Sequence, residues 1–332
     1  MGGGELRFAA GVTRFIHLKS MIALSGEFSI VPFYHVVSDE HLPHIRHLYR
    51  YKSTSESEKD LDGLLAIYKP VNLNEFLNGD PKKETQRKML LTFDDGLAEC
   101  HQVLAPILKK KGVPAVFFLN NHFIDNRDLF YRYKVSLLIE KLQSSPEKRE
   151  AVSQYMKVPG EEVVSSLLDI SHARQDRINS LANLLEVDFN NYLANRPVYM
   201  STPQIQEMMS WGFEIGGHSL DHPVFSDLEE TEMIRQTRES INDLKTRFEG
   251  STNSFAFPFS SEGVPQSVIN QLLDSQTSSL LLGISGLKKT QTPGFIQRID
   301  MEKFKLPAKK VLKIKYLHFL LRKPFGNHVH IQ

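Results

Sequence analysis

The sequence predicts an α/β fold built from strand–turn–helix units, and three features carry that prediction. Short apolar runs recur along the chain, several of them followed by a helical spacing of apolar residues. Glycines and capping residues punctuate the junctions between them. Chemically capable side chains follow the runs, at the carboxyl ends of strands where α/β folds collect their chemistry.

Taken in order, Ile30-Val31-Pro32-Phe33-Tyr34 reads as the first strand and puts His35 at its carboxyl end. Lys88 to Phe93 is a buried strand that ends in Asp94-Asp95-Gly96, where the glycine permits a tight turn. Leu97 to Lys111 continues as a helix, with Gly112 as its stop. The apolar run Val116-Phe117-Phe118-Leu119 comes next, with His122 just beyond it. From Asn126 to about Pro197 the chain is polar and helical without strand signals. Pro146 and Pro159-Gly160 break the helical runs there. We read this stretch as a helical insertion, with three roles open: a lid, an oligomer contact, or packing alone.

Strand–helix alternation then resumes. Thr202 caps a helix with Pro203 in its first turn, and Gly212 ends it. Phe213 to Gly217 is a short strand followed by His218-Ser219-Leu220-Asp221-His222. Ser226 and Glu229 form the pattern of a capping box opening a helix over Leu228 to Phe248. Ser254 to Phe259 is a strand, Val264 to Leu273 a helix, and Leu280 to Ile284 a strand. Arg298, in Ile296-Gln297-Arg298-Ile299-Asp300, follows another strand-like stretch.

Two of these strand ends carry chemistry. The adjacent carboxylates Asp94 and Asp95 supply a base and an anionic ligand side by side. Two histidines four apart place neutral nitrogen ligands on one side of a turn. Together they describe a divalent metal site of His, His and Asp with an acid/base carboxylate beside it. Either piece alone is weak: Asp-Asp-Gly is ordinarily a turn, and a lone HxxxH is more often two unrelated histidines.

At these residues the chain resembles the NodB-type polysaccharide deacetylases, carbohydrate esterase family 4. Thr92-Phe93-Asp94-Asp95-Gly96 is similar to that family's first motif, and His218-Ser219-Leu220-Asp221-His222-Pro223 to its second. Phe255-Ala256-Phe257-Pro258-Phe259 looks like a variant of its third. The resemblance implies a distorted (β/α) barrel with fewer than eight strands, and hydrolysis of an N-acetyl, sometimes O-acetyl, group on a sugar. By it, Asp94 is the catalytic base, and Asp95, His218 and His222 are the metal ligands. Zinc is the expected ion; Co2+, Ni2+ and Mn2+ also suit the donors. The Phe257-Pro258-Phe259 segment would supply a backbone N–H for the oxyanion and aromatic walls for the acetyl group.

The chain departs from that pattern in three places. No arginine lies between Phe255 and Phe259 to orient the base; Arg298 is the candidate replacement. The aspartate-rich fourth motif is absent or reduced to Asp300. No Leu-x-His supplies the general acid, so His35 is the first candidate and His122 the second, the latter also a substrate contact. His41, His44 and His47 are either a second metal site or a loop facing glycan or solvent. Loss of activity through these departures would leave a glycan-binding pseudoenzyme. A hydrolase of non-sugar amides is the other alternative, since fold does not fix substrate.

The formal charge of +1 over 332 residues excludes a whole-protein electrostatic grip on nucleic acid. A single cysteine, Cys100, excludes an intramolecular disulfide framework and reads as a small buried residue. The N-terminal stretch lacks the clean apolar core of a signal peptide, so a cytoplasmic location is expected, with an intracellular glycan precursor as substrate. We divide the chain into an amphipathic segment over 1–27, the barrel over 28–302, and a basic helix and tail over 303–332. Lys305, Lys309, Lys310, Lys313, Lys315 and Arg322 alternate there with Val311, Leu312, Ile314, Leu317 and Phe319. That helix either closes the barrel or lies at the inner face of a membrane, where it would reach lipid-linked sugars.

Overall fold

The computed structural model describes residues 17–78, 86–275, 277–302 and 306–325. Its strands, in chain order, are β1 (Pro32–Tyr34), β2 (Lys69–Pro70), β3 (Lys88–Met89), β4 (Leu91–Phe93), β5 (Ala115–Leu119), β6 (Glu214–Gly217), β7 (Ser254–Ala256), β8 (Leu280–Gly283), β9 (Phe295–Gln297) and β10 (Ile299–Asp300). Eight of them pair in parallel in the order β10-β1-β4-β5-β6-β7-β8-β9. β2 and β3 form a separate parallel pair.

β9 and β10 are successive parts of one extended stretch, interrupted only at Arg298. β9 pairs with β8 and β10 with β1, so this stretch joins the two edges of the sheet. The eight strands therefore come from seven chain segments, one fewer than in a full (β/α)8 barrel. This is the distorted barrel that the sequence motifs implied.

Both faces of the barrel wall are buried, which is why its strands are apolar runs rather than alternating patterns. Val116 and Phe118 of β5 cluster with Leu90, Ala256, Leu280 and Leu282. Ala115, Phe117 and Leu119, the opposite set, pack with Phe93, Ile215 and residues of the surrounding helices. Gly216 is required on β6: a Cβ there would lie 2.6 Å from both the Phe118 ring and Ser254 Oγ.

The segment between β5 and β6 is helical, over Tyr131–Ser144, Arg149–Met156, Val163–Leu168, Gln175–Leu185 and Phe189–Asn195. Leu138, Leu142, Val163, Leu167, Ile178, Leu181 and Leu185 have no exposed surface. Burying each such side chain stabilises by at most ~1.5–3 kcal/mol. Leu42, Ile45, Leu97 and Tyr199 share this core, which ties the insertion to loops beyond the β1 and β4 strand ends.

Local expectations need three corrections. The helix predicted over Leu97 to Lys111 contains a wide π turn, Cys100–Leu104, before its α part Ala105–Lys111. Pro106 cannot donate to a carbonyl four residues back, and the wider turn accommodates that missing bond. Ser201, not Thr202, occupies the cap of helix Thr202–Ser210, and its N–H donates to Gln204 Oε1 at 2.8 Å. The Ser226–Glu229 capping box does not form. Fully buried Phe225 packs on Phe255 and Phe257 and draws the chain into a 3-10 turn, so the helix begins only at Glu230.

The C-terminal helix Ala308–Arg322 buries Val311, Leu312, Ile314, Tyr316 and Phe319. It packs on helices Leu18–Ser25 and Thr54–Leu65, and Tyr316 Oη donates to the Glu27 carbonyl at 2.8 Å. Its apolar side is thus spent inside the protein. Most of the predicted N-terminal amphipathic stretch, and Lys303 to Lys305, lie outside the described residues. Among the described residues, no helix is long and apolar enough to cross a membrane.

Candidate active site and metal centre

The parallel register brings the predicted residues together, because each follows the end of a neighbouring strand. β4 delivers Asp94 and Asp95; the Asp94 N–H donates to the Tyr34 carbonyl at 2.9 Å. Asp95 and Gly96 then take left-handed backbone, with φ of 72° and 69°. β6 delivers His218, whose N–H donates to the Leu119 carbonyl at 2.9 Å. Ser219 and His222 are also left-handed, at 71° and 61°. The loop is held by Ser219 Oγ accepting from the His222 N–H at 2.9 Å and Gln236 Oε1 accepting from the Leu220 N–H at 2.9 Å. Phe259, at 56°, is the fourth non-glycine residue of this kind around the site. Strained backbone at non-glycine residues persists where the surroundings over-determine it, and it clusters at functional sites.

Asp95 Oδ1 lies 3.5 Å from His218 Nε2 and 3.3 Å from His222 Nε2. The three ligating atoms fall within 4.8 Å of one another, and all three residues are buried. Among the described residues this is the one such group. Asp95 Oδ1 is buried without a hydrogen-bond partner, as a ligand atom awaiting a cation would be. His218 Nδ1–H donates to the Ala256 carbonyl at 2.7 Å, which turns a bare Nε2 toward Asp95. Tyr133 Oη donates to Asp95 Oδ2 at 3.0 Å and leaves Oδ1 free. Burial pushes the His222 pKa down, toward the neutral ring that binds metal. Burial alone would raise the Asp95 carboxyl, but His218 and His222 outweigh it and hold it well below the usual range. Two nitrogens and one oxygen fit a divalent transition ion.

Asp94 is gripped from below. Arg298 donates from Nη1 to Oδ1 at 2.6 Å and from Nη2 to Oδ2 at 2.7 Å, a fork-on-carboxylate pair. Arg298 has no exposed surface, and its guanidinium stacks over Phe33 at 4.5 Å. Burial would raise the Asp94 pKa; the charges of Arg298 and His218 outweigh it and keep the carboxyl low. Asp94 Oδ2 is 4.0 Å from His218 Nε2, beside the ligand set.

His35, at the end of β1, has a partner that the sequence reading missed. Its Nδ1 lies 2.6 Å from Glu302 Oε2, which also accepts the His35 N–H at 3.0 Å. Burial disfavours a charged ring, but the Glu302 bond and charge outweigh it and lift the pKa to about 10. The ring keeps a quarter of its surface, so water tempers both effects.

These groups line one cavity of about 240 Å³, with Phe33, Tyr49, Phe130, Phe257 and Phe259 among its walls. Three predicted residues do not line it, one of them Arg298, which reaches the site through Asp94. His122 is exposed, because a 3-10 turn over Asn121–Asn126 buries Asn121 and Phe123 in its place. Pro258 is buried and does not line the cavity, although both its neighbours do. The histidine cluster disperses: His41 meets Arg46 at 2.8 Å, His44 meets Tyr192 Oη at 2.9 Å, and His47 meets Glu140 at 2.8 Å. They form no second metal site. Asp300 does line the cavity, and its Oδ1 accepts the Glu302 N–H at 2.9 Å. A separate cavity of about 280 Å³ next to Arg50, Lys59 and Glu302 carries no metal-ligand set.

The insertion also enters the site, through Phe130, Arg132 and Tyr133. Nothing in the sequence distinguished Tyr133 from other residues at helical spacing. Glu302 left a fainter trace: it is an acid just past the last strand's carboxyl end, the position used to select His35.

By sequence, no curated protein matches the chain. Among solved structures it is similar to IcaB from Ammonifex degensii, with 20% identity over 86% of this chain and 97% of that one and a TM-score of 0.53. It is similar to the Streptococcus pyogenes deacetylase PplD in complex with acetate, at 12% identity, 86% and 97% coverage and TM-score 0.54. It is also similar to a de-N-acetylase from Aggregatibacter actinomycetemcomitans, at 16% identity, 86% and 99% coverage and TM-score 0.50. At such identities the likeness is one of fold. The family profile for polysaccharide deacetylases matches residues 81–274. That span takes in the paired-aspartate turn and the two-histidine turn together, and the chain belongs to the NodB-type polysaccharide deacetylase family.

Proposed function

We propose that the chain is a metal-dependent hydrolase that removes N-acetyl, or O-acetyl, groups from a sugar in a polysaccharide or glycan precursor. One observation carries the reading: Asp94, clamped by Arg298, lies beside the convergent atoms of Asp95, His218 and His222.

Asp95, His218 and His222 would hold the ion, with Zn2+ preferred. When bound, a divalent ion supplies Lewis acidity toward the acetyl carbonyl and toward water. Asp94 takes the proton of the attacking water, and Arg298 keeps it ionised and oriented for that task. In the third-motif segment the Phe257 N–H is already given to the Leu282 carbonyl, and Pro258 has none. The Phe259 N–H is left as the donor to the developing oxyanion. His35, charged through its bond to Glu302, donates a proton to the leaving nitrogen as the C–N bond breaks. Phe257 and Phe259 enclose the acetyl methyl. Similar structures described as a deacetylase with acetate and a de-N-acetylase are in keeping with this reading.

The proposal extends to place. Cytoplasmic residence implies a precursor, such as a lipid-linked sugar, as substrate. Exposed Leu24 and Leu321, with Arg322 and Lys323 close by in the chain, are the groups that would touch a membrane surface. Flotation with anionic vesicles tests that part.

Acetate release from acetylated glycan oligomers and sugar precursors tests the activity. Turnover should vanish with chelator, return with Zn2+, and be lost in Asp94→Asn. Turnover that survives chelation, or none in fully metal-loaded protein, overturns the reading.

A further inference from the structure

Most of the charged groups lining the cavity have a partner in the protein; Asp300 accepts the Glu302 N–H. Asp94 is matched by Arg298, Asp95 by the two histidines, and His35 by Glu302. Arg132 lines the same cavity, half-buried, and makes no ion pair with any described residue. Its Nε donates to Tyr131 Oη at 3.1 Å, and its guanidinium lies over the Phe259 ring at 4.9 Å. Stacking fixes the plane of the guanidinium, and no described protein group takes up its two terminal nitrogens. Water still reaches this half-buried cation, and a ligand oxyanion would replace that water with a charged hydrogen bond.

The position is informative as well. His222 packs on Phe259 at 4.6 Å between centroids, so a single aromatic ring stands between Arg132 and a member of the ligand set. Arg132 reaches the site because the first helix of the insertion starts at Tyr131, and fully buried Tyr133 anchors it against Asp95.

We propose that Arg132 is a specificity-determining residue, and that the substrate is an acetamido sugar carrying an oxyanion, a phosphate or a carboxylate, on or next to the acetylated residue. This rests on the deacetylase reading above and narrows its substrate class. The guanidinium fork matches both oxyanions in two-point geometry.

Three probes separate the possibilities: N-acetylglucosamine 1-phosphate, N-acetylmuramic acid, and the neutral methyl glycoside of N-acetylglucosamine. Acetate release gives kcat/KM for each on zinc-loaded protein, and calorimetry gives binding to the same protein. At least one anionic probe should exceed the neutral one by about ten- to a hundredfold, the range of a charged hydrogen-bonded contact. Whichever anionic probe leads identifies the oxyanion. Arg132→Gln should bring the anionic-to-neutral ratio toward one, and Arg132→Lys should restore part of it.

A ratio near one in the unmodified protein, or a ratio unmoved in Arg132→Gln, overturns the inference. The second of these is the result expected if Arg132 only clamps the insertion onto Phe259. If no probe is hydrolysed, the deacetylase reading fails. Binding then still decides the inference: Arg132-dependent preference for anions upholds it, and equal binding sinks it.

Discussion

Replacing Arg298 with methionine isolates what the buried clamp does. The change removes a guanidinium with no exposed surface and leaves Asp94, 2% exposed, with its charge. Methionine is apolar and of similar length, so the space stays largely filled while both charged hydrogen bonds, at 2.6 and 2.7 Å, are lost. Breaking one side of a buried pair costs about 3–5 kcal/mol, because the remaining ion is uncompensated. The protein can recover part of that by protonating Asp94. The same energy corresponds to about 2–4 pK units, so the variant's carboxyl takes up its proton well above the pH at which the clamped one does. Two measurements follow. Urea unfolding at pH 8 should show a loss of about 3 kcal/mol or more, smaller at pH 5, where protonation relieves the buried charge. The acid limb of the kcat/KM profile should move up by about 2 units. The double variant Asp94→Asn/Arg298→Met should regain much of the stability, which separates charge imbalance from bad packing. A single variant within about 1 kcal/mol of the parent at both pH values, with an unmoved acid limb, would refute this account of the clamp.

Further expectations concern the ligand set and two buried acids. Asp95→Ala should bring bound metal, measured by elemental analysis of dialysed protein, to background; retained stoichiometric metal contradicts the ligand assignment. Tyr133→Phe removes the bond to Asp95 Oδ2 and should weaken zinc affinity by about 10-fold or more in a chelator competition. Glu99 is 8% exposed, and burial lifts its pKa to about 7. A carboxyl with a raised folded pKa loses stability as pH climbs from about 4.5 through 7. Glu99→Gln should therefore stabilise the protein by about 1–3 kcal/mol at pH 8 and bring no gain below pH ~4.5, as read by urea melts. His35 carries the opposite sign. Its raised pKa contributes stability in full below pH ~6.5, and that contribution fades as pH passes through about 10. In chelator-treated protein, Glu302→Gln should cost more stability at pH 6 than at pH 10.5.

What the sequence made legible follows from how local each feature is. Asp94–Asp95 and His218–His222 are contiguous turns at strand ends, and parallel register alone brings such ends to one edge. The barrel segments were readable because a wall buried on both faces demands unbroken apolar runs. β2 was not, since a two-residue pairing leaves no periodicity, and β3 was read as one strand with β4. His122 was misjudged because nearness to a strand end says nothing about a 3-10 turn that presents the next side chain to solvent. Tyr133 and Arg132 were invisible for a different reason. Helical spacing gives the buried side of the insertion, but only the fold-back of that helix decides what the side touches. Glu302 could be found from its position past β10, yet its target, His35, lies 267 residues away along the chain.

The split strand at Arg298 has a consequence for how this enzyme matures. The stretch that zips the two sheet edges together is the same stretch that carries the clamp to Asp94, across 204 residues of sequence. A nascent chain therefore has an open-sided sheet and an unsupported Asp94 until its last strands arrive, and one event late in folding completes both. Activity and cooperative stability should emerge together on refolding, with no long-lived species that possesses one without the other.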